Sequence, residues 1–210
     1  MADVGYLLRI FLLGAALGCP RGLEAATIVC LGDSITAGLG LSEEEAYPAL
    51  VQGLARQDGL DWRLVNAGVS GDTTAGGLRR IDWLVKGSPD LVLVALGAND
   101  GLRGLPVAVS RANLAAIIDR LRAAKVRVAL AGMYLPMNYG EDYRTAFAAL
   151  FPAVAEEDHL PLLPFLLAGV GGKPELNQAD GIHPTAAGQR LIAARVYAFL
   201  RGVLATGGRP

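Results

Sequence analysis

Two cysteines (Cys19 and Cys30) and two histidines (His159 and His183) are all that this 210-residue chain offers a soft metal ion. They are scattered along the sequence, so no zinc cluster of recognisable spacing can form, and no metal or other cofactor is expected. Charge of one sign is also lacking. The 19 Lys and Arg against 20 Asp and Glu leave a formal net charge of −1 and no basic stripe, which argues against a nucleic-acid partner. No apolar run is long enough to cross a bilayer, which takes roughly 20 residues. The nearest, "YLLRIFLLGAALG" at 6–18, is shorter and is interrupted by Arg9, so no stable membrane span is expected. It has the form of a secretory h-region, followed by small residues in "LEAA" at 23–26 where a peptidase could cut. The expectation is a signal peptide or apolar leader over 1–25 and one folded domain over 26–210, with export to the periplasm or medium. Without cleavage the protein would stay in the cytoplasm. If the leader is cut after Cys19, Cys30 has no partner for an internal disulfide. Repeats, low-complexity tracts and Pro/Ser-rich linkers are missing too, and nothing divides the chain into two domains.

Apolar residues are abundant, at 52%, and they are patterned. Five runs read as strands: "ATIVCL", "DWRLVNA", "DLVLVAL", "VRVALAG" and "LPLLPFL". Between and after them lie helical stretches at about 44–57, 72–86, 106–124, 141–158 and 185–204. In the third of these, Leu114, Ile117, Ile118 and Leu121 fall on one helical face. Strands apolar on both faces belong in a parallel sheet covered by helices on both sides, which predicts a three-layer α/β/α fold with a five-stranded parallel sheet. Ligands of such sheets bind beyond the carboxyl ends of the strands. The residues just after each run therefore matter most.

After the first run comes "GDSITAG", with Ser34. Ser34 or Thr36 can be read as an ordinary helix N-cap, or Ser34 as an exposed nucleophile. After the second comes "NAGVSGDTTAGG", whose Gly68 and Gly71 allow geometry other residues resist. After the third comes "LGANDG", with Asn99, a residue that is also a common turn former. Near the end, "NQADGIHPTAAGQ" sets Asp180 three positions before His183, with Pro184 opening the last helix. His159, in "EEDHLP", reads as a surface residue at an acidic helix end. A serine hydroxyl needs a base to take its proton, and imidazole suits that task near neutral pH. The imidazole needs an anchor on its other nitrogen, which Asp180 can supply. A developing oxyanion needs fixed donors, for which the N–H groups of Ser34 and Gly71 and the Asn99 amide are candidates.

In these blocks the chain resembles the SGNH, or GDSL, hydrolases. "GDSITAG" carries Ser34, "GVSGDTT" Gly71, "GAND" Asn99 and "DGIHPTAAG" Asp180 and His183, all in the family's order. "AYPALV", "LGANDGLRGLP" and "MYLPMNYG" bring it near the bacterial thioesterase I/arylesterase/lysophospholipase L1 subgroup, typically exported to the periplasm. The G-x-S-x-G elbow of the α/β-hydrolases is absent. The resemblance implies a flavodoxin-like sandwich, no cofactor and a small-molecule acyl ester or thioester as substrate. It also implies an acyl-enzyme on Ser34, with His183 as base, Asp180 as its anchor, and Ser34, Gly71 and Asn99 forming the oxyanion hole.

Apolar residues follow the last two strands: Met133, Leu135, Pro136 and Met137, then Phe165, Leu166 and Leu167. They can be read as loop and core packing or as a groove for an acyl chain. A carbohydrate O-deacetylase on the same blocks is the rival enzyme. Aromatic platforms for a sugar are few, Tyr134 and Tyr139 being the candidates. A non-catalytic anion-binding module would leave Asp180 and His183 without a task.

Overall fold

The structure, a computed structural model, describes residues 25–206. The expected leader lies outside the described residues except for its last position. Five parallel strands, β1 (Ala26–Gly32), β2 (Trp62–Gly68), β3 (Leu91–Ala95), β4 (Arg127–Ala131) and β5 (Leu162–Leu163), form one sheet in the order β2-β1-β3-β4-β5. Each falls within the run that predicts it or extends it by one residue. The last run yields only two strand residues because Pro161 and Pro164 bracket them and lack the N–H a ladder requires.

Five long helices stand where periodicity placed them: α2 (Tyr47–Gln57), α3 (Thr74–Val85), α5 (Val107–Ala123), α6 (Glu141–Glu157) and α7 (Ala186–Thr206). The first begins later than expected because Glu43–Glu45 form a separate 3-10 turn before it. Two short helices, α1 (Ser34–Ala37) and α4 (Ala98–Leu102), carry too few turns to show a period. Right-handed crossovers put α2 on one face of the sheet and α3, α5 and α6 on the other. Accordingly α2 packs against α7, and α3 and α6 each pack against α5.

Strands β1, β3 and β4 are almost wholly buried, whereas the edge strand β2 is half-buried. Leu114, Ile117, Ile118 and Leu121 of α5 are all at 0% exposure, so the sequence stripe is the buried face. One hydrophobic cluster joins sheet and helices. Among the described residues, no helix is long and apolar enough to cross a membrane. The strand order reverses between β1 and β3, and their carboxyl ends diverge there into α1 and α4. A crevice at that point is the usual ligand site of such a sheet.

Candidate active site

Asp33, not Ser34 or Thr36, caps α1: its Oδ1 accepts the Ile35 N–H at 3.0 Å. Thr36 is occupied elsewhere, with its hydroxyl 3.0 Å from that of Tyr47. The Ser34 hydroxyl is thereby left for another partner. As the first residue of α1, Ser34 also has a backbone N–H for which the helix supplies no acceptor. The loop after β2 can lie against this turn because Gly68 has no side chain. A Cβ there would stand 2.2 Å from the Ala37 nitrogen.

The partner of Ser34 arrives from 149 positions away. His183 Nε2 lies 2.8 Å from Ser34 Oγ, and His183 Nδ1 lies 2.6 Å from Asp180 Oδ2. The loop holding the histidine is braced locally. Asp180 Oδ1 accepts the N–H groups of Ile182 and His183, both at 3.0 Å, and Gln178 N–H donates to the His183 carbonyl at 2.7 Å. From α7, Gln189 donates to the Ile35 carbonyl at 2.9 Å and accepts the Tyr47 N–H at 3.0 Å. That amide joins the helix after His183 to the short helix bearing Ser34.

Electrostatics set the tautomer. The backbone N–H of His183, its ring N–H and the Ile182 N–H hold the Asp180 carboxyl down at about 2. An ionised carboxylate only accepts, so Nδ1 of a neutral His183 carries the hydrogen and Nε2 presents its lone pair to the Ser34 hydroxyl. Asp33 goes the other way: burial raises its carboxyl to about 6, against the pull of the Ile35 N–H. Burial pushes the Cys30 thiol up to about 12, which makes it a poor competing nucleophile.

Asn99 stands in the first turn of α4, and its Nδ2 donates to the Asp72 carbonyl at 3.0 Å and weakly to Asp33 Oδ2 at 3.4 Å. Gly71, next to Asp72 in the same loop, has φ +78°, which favours glycine. Among the described residues its N–H has no hydrogen-bond acceptor, while its carbonyl accepts from the Arg103 guanidinium at 2.8 Å. The five residues singled out in sequence, Ser34, Gly71, Asn99, Asp180 and His183, thus border one crevice. His159, exposed and just before β5, lies at the opposite end of the sheet.

A cavity of about 360 Å³ opens beside the serine, between Ile35 and Ile182, the neighbours of Ser34 and His183. Its wall includes Met133, Leu135, Pro136, Met137, Phe165 and Leu167. Leu166 corrects the expectation: at 1% exposure it belongs to the core and is not on the cavity wall. Leu166 instead packs into the hydrophobic cluster, with its N–H donating to the Gly132 carbonyl at 3.0 Å, while Phe165 and Leu167 on either side face the cavity. Tyr134 stacks on Phe165 with ring centroids 4.6 Å apart, closing the wall between the β4 and β5 loops. Tyr139 is tied down, its hydroxyl donating to the Leu102 carbonyl at 2.9 Å.

Residues 30–191 match the model of the GDSL-like lipase/acylhydrolase family. The chain belongs to that family. It is 44% identical over 181 residues to esterase TesA of Pseudomonas aeruginosa, covering 86% of this chain and 90% of that one. With thioesterase 1/protease 1/lysophospholipase L1 of Escherichia coli it shares 41% over 178 residues, 82% of each chain. The crystal structure of the psychrotrophic esterase EstA from Pseudoalteromonas sp., inhibited by monoethylphosphonate, superposes with a TM-score of 0.83 at 38% identity. That match covers 86% of this chain and all of EstA. The SGNH resemblance therefore holds, as does the flavodoxin-like sheet, and the protein is a hydrolase of the GDSL/SGNH class.

Sequence reading passed over several residues of this crevice: Asp33, Asp72, Arg80, Arg103 and Gln189. Asp33 sits in "GDSITAG" directly before Ser34, where an aspartate is also a common helix cap. Arg80 and Gln189 sit on long helices, where a charged or polar residue is ordinarily a solvated face. Arg80 is 22% exposed and its partner Asp72 10%. Gln189 is fully buried.

Proposed function

We propose that this protein hydrolyses carboxylic esters and acyl thioesters through an acyl-enzyme on Ser34. The observation that carries the reading is the unbroken chain Asp180–His183–Ser34, at 2.6 and 2.8 Å. Ser34 Oγ attacks the carbonyl carbon while His183 Nε2 takes its proton. The negative charge gathers on the carbonyl oxygen, facing the N–H groups of Ser34 and Gly71 and the Asn99 amide. The C–O or C–S bond then breaks, and His183 returns the proton to the departing alcohol or thiol. Water, deprotonated by His183, attacks the acyl carbon and releases a carboxylic acid and free Ser34. Asp180 holds the ring in the productive tautomer throughout.

The apolar cavity next to Ser34 favours a medium or long acyl chain, each buried methylene contributing about 0.8 kcal/mol. The rival deacetylase reading has less support, because the cavity beside Ser34 is lined mainly by aliphatic side chains and Tyr134 and Phe165 are its only aromatic residues among the described residues. Residues 26–210 are read as the hydrolase domain and 1–25 as a leader that exports it to the periplasm. Its host-cell test is the N-terminal sequence of active periplasmic protein. Intact Met1 on active cytoplasmic enzyme would overturn export.

The test of the activity is a hydrolysis panel of p-nitrophenyl esters from short to long acyl chains, acyl-CoA thioesters, lysophospholipids and acetylated sugars. It is run on the parent and on Ser34→Ala, with an organophosphonate label. The expected result is turnover rising with chain length, abolished in Ser34→Ala, and label on Ser34 alone. A preference for acetylated sugars would favour the deacetylase, and label elsewhere would overturn the nucleophile.

A further inference from the structure

Arg80 lies on α3 and touches no part of the Asp180–His183–Ser34 chain, yet every one of its guanidinium nitrogens is engaged around the crevice, two by backbone carbonyls and one by a carboxylate. Its Nε donates to Asp72 Oδ2 at 2.8 Å, one terminal nitrogen to the Ala67 carbonyl at 2.7 Å, and the other to the Gly32 carbonyl at 2.9 Å. Gly32 is the last residue of β1, two before Ser34. Ala67 is the penultimate residue of β2, just before the loop that bears Gly71. Asp72 follows Gly71 directly, and its carbonyl is the acceptor that holds the Asn99 amide at 3.0 Å. A single planar group therefore reaches the segments carrying the Ser34 and Gly71 donors, and through Asp72 the residue whose carbonyl holds the third, Asn99.

We propose that Arg80 is a positioning residue that fixes the Ser34, Gly71 and Asn99 donors relative to one another, acting through Gly32, Ala67 and Asp72; this rests on the esterase reading above. An arginine fork can serve three acceptors at set angles, which the compact ammonium of lysine cannot reproduce. The neighbourhood is shaped to admit the contact. A Cβ on Gly76 would lie 1.5 Å from Asp72 Oδ1, so the first turn of α3 leaves the carboxylate its space only because that position is glycine. The Asp72–Arg80 pair is mostly shielded from water, with side-chain exposures of 10% and 22%. It is thereby less screened than the exposed pairs between Arg120 and Asp82 or Arg201 and Asp58. Donors preset for the oxyanion count mainly in the transition state, where an ångström of misplacement is costly.

Two variants of the full chain test this from opposite sides. Arg80→Lys keeps the charge and loses the fork. Gly76→Ala keeps Arg80 and Asp72 and favours the helix, but puts a methyl where the carboxylate sits. Both are expected to lower kcat roughly 10- to 100-fold with KM nearly unchanged. Affinity for a tetrahedral boronic acid adduct should fall by the same factor, and the pH dependence of kcat/KM should stay in place, since Asp180 and His183 are untouched. Normal kcat in both variants, or losses confined to KM or to the melting temperature, would overturn the proposal. Should one variant not fold, the other decides. Ser34→Ala, measured alongside, separates the two readings: activity retained there sinks the esterase assignment, whereas an inactive Ser34→Ala beside fully active Arg80→Lys and Gly76→Ala sinks only the clamp.

Discussion

Asp180 grips His183 twice, by the ring at 2.6 Å through Oδ2 and by the backbone N–H at 3.0 Å through Oδ1. Two grips from one carboxylate fix both the position and the orientation of the imidazole. A three-residue separation makes this geometry local, since both grips lie within one turn of the loop.

The first prediction follows from that grip. Asp180→Asn should lower kcat by roughly 10³–10⁴, because an amide in place of the carboxylate no longer enforces the Nδ1–H tautomer. Since Asp180 is held down at about 2, it is ionised well below neutrality. An acid limb of kcat/KM between pH 5 and 7 therefore does not belong to it. The depressed value also contributes stability that is present above the ordinary carboxylate range and is lost as pH falls towards about 2. His159→Ala should leave the pH profile unchanged and His183→Ala should abolish activity. A profile that tracks His159 would show the wrong histidine has been assigned.

A second prediction concerns Asn99. Its amide is held by the Asp72 carbonyl at 3.0 Å, and the hydrogen directed at Asp33 Oδ2 is only weakly engaged at 3.4 Å. In the proposed mechanism that hydrogen is the one offered to the oxyanion. Asn99→Ala should lower kcat by about 10²–10³ with KM nearly unchanged, and Asn99→Asp should be worse, because a carboxylate repels the developing charge. If Asn99 were only a turn former, Asp would be tolerated and the loss would appear in the melting temperature. Steady-state kinetics and thermal melts of both variants distinguish these outcomes.

Asp33 yields a prediction about stability. Burial raises its carboxyl to about 6, so between the unfolded carboxylate value and that point the folded state holds a proton that the unfolded chain has lost. Its contribution is therefore fully present below pH 4 and declines as pH rises through about 6. Asp33→Asn retains an oxygen to cap the Ile35 N–H and removes the buried charge. Relative to the parent, the variant should gain stability between pH 4 and pH 8 by on the order of 1–3 kcal/mol. Melts at the two pH values check this, and an unchanged difference between parent and variant would count against a buried, ionising Asp33.

Much of this protein was legible in its residues. Short apolar runs with no polar face, alternating with amphipathic helical stretches, read as central parallel strands, and β1, β3 and β4 are buried as that reading requires. The stripe of Leu114, Ile117, Ile118 and Leu121 is buried because a helix repeats its face at every turn. Ser34, Gly71, Asn99, Asp180 and His183 could be picked out because each follows a strand or lies in the loop before the last helix, and a parallel sheet gathers strand ends on one rim. What tertiary structure alone decided are the partners. That Asp33 rather than Ser34 caps α1 is decided by where the chain leaves β1, and the Ser34 hydroxyl then turns to a histidine 149 positions away. The same holds for Leu166, which turns inward between two residues of the cavity wall. Arg80 and Gln189 read as solvated helix residues until β1, β2 and α2 close around them, since a hydrogen bond across 48 or 154 positions leaves no periodic trace in the chain. Periodic burial is written residue by residue, whereas a long-range hydrogen bond exists only once the packing has brought its two ends together.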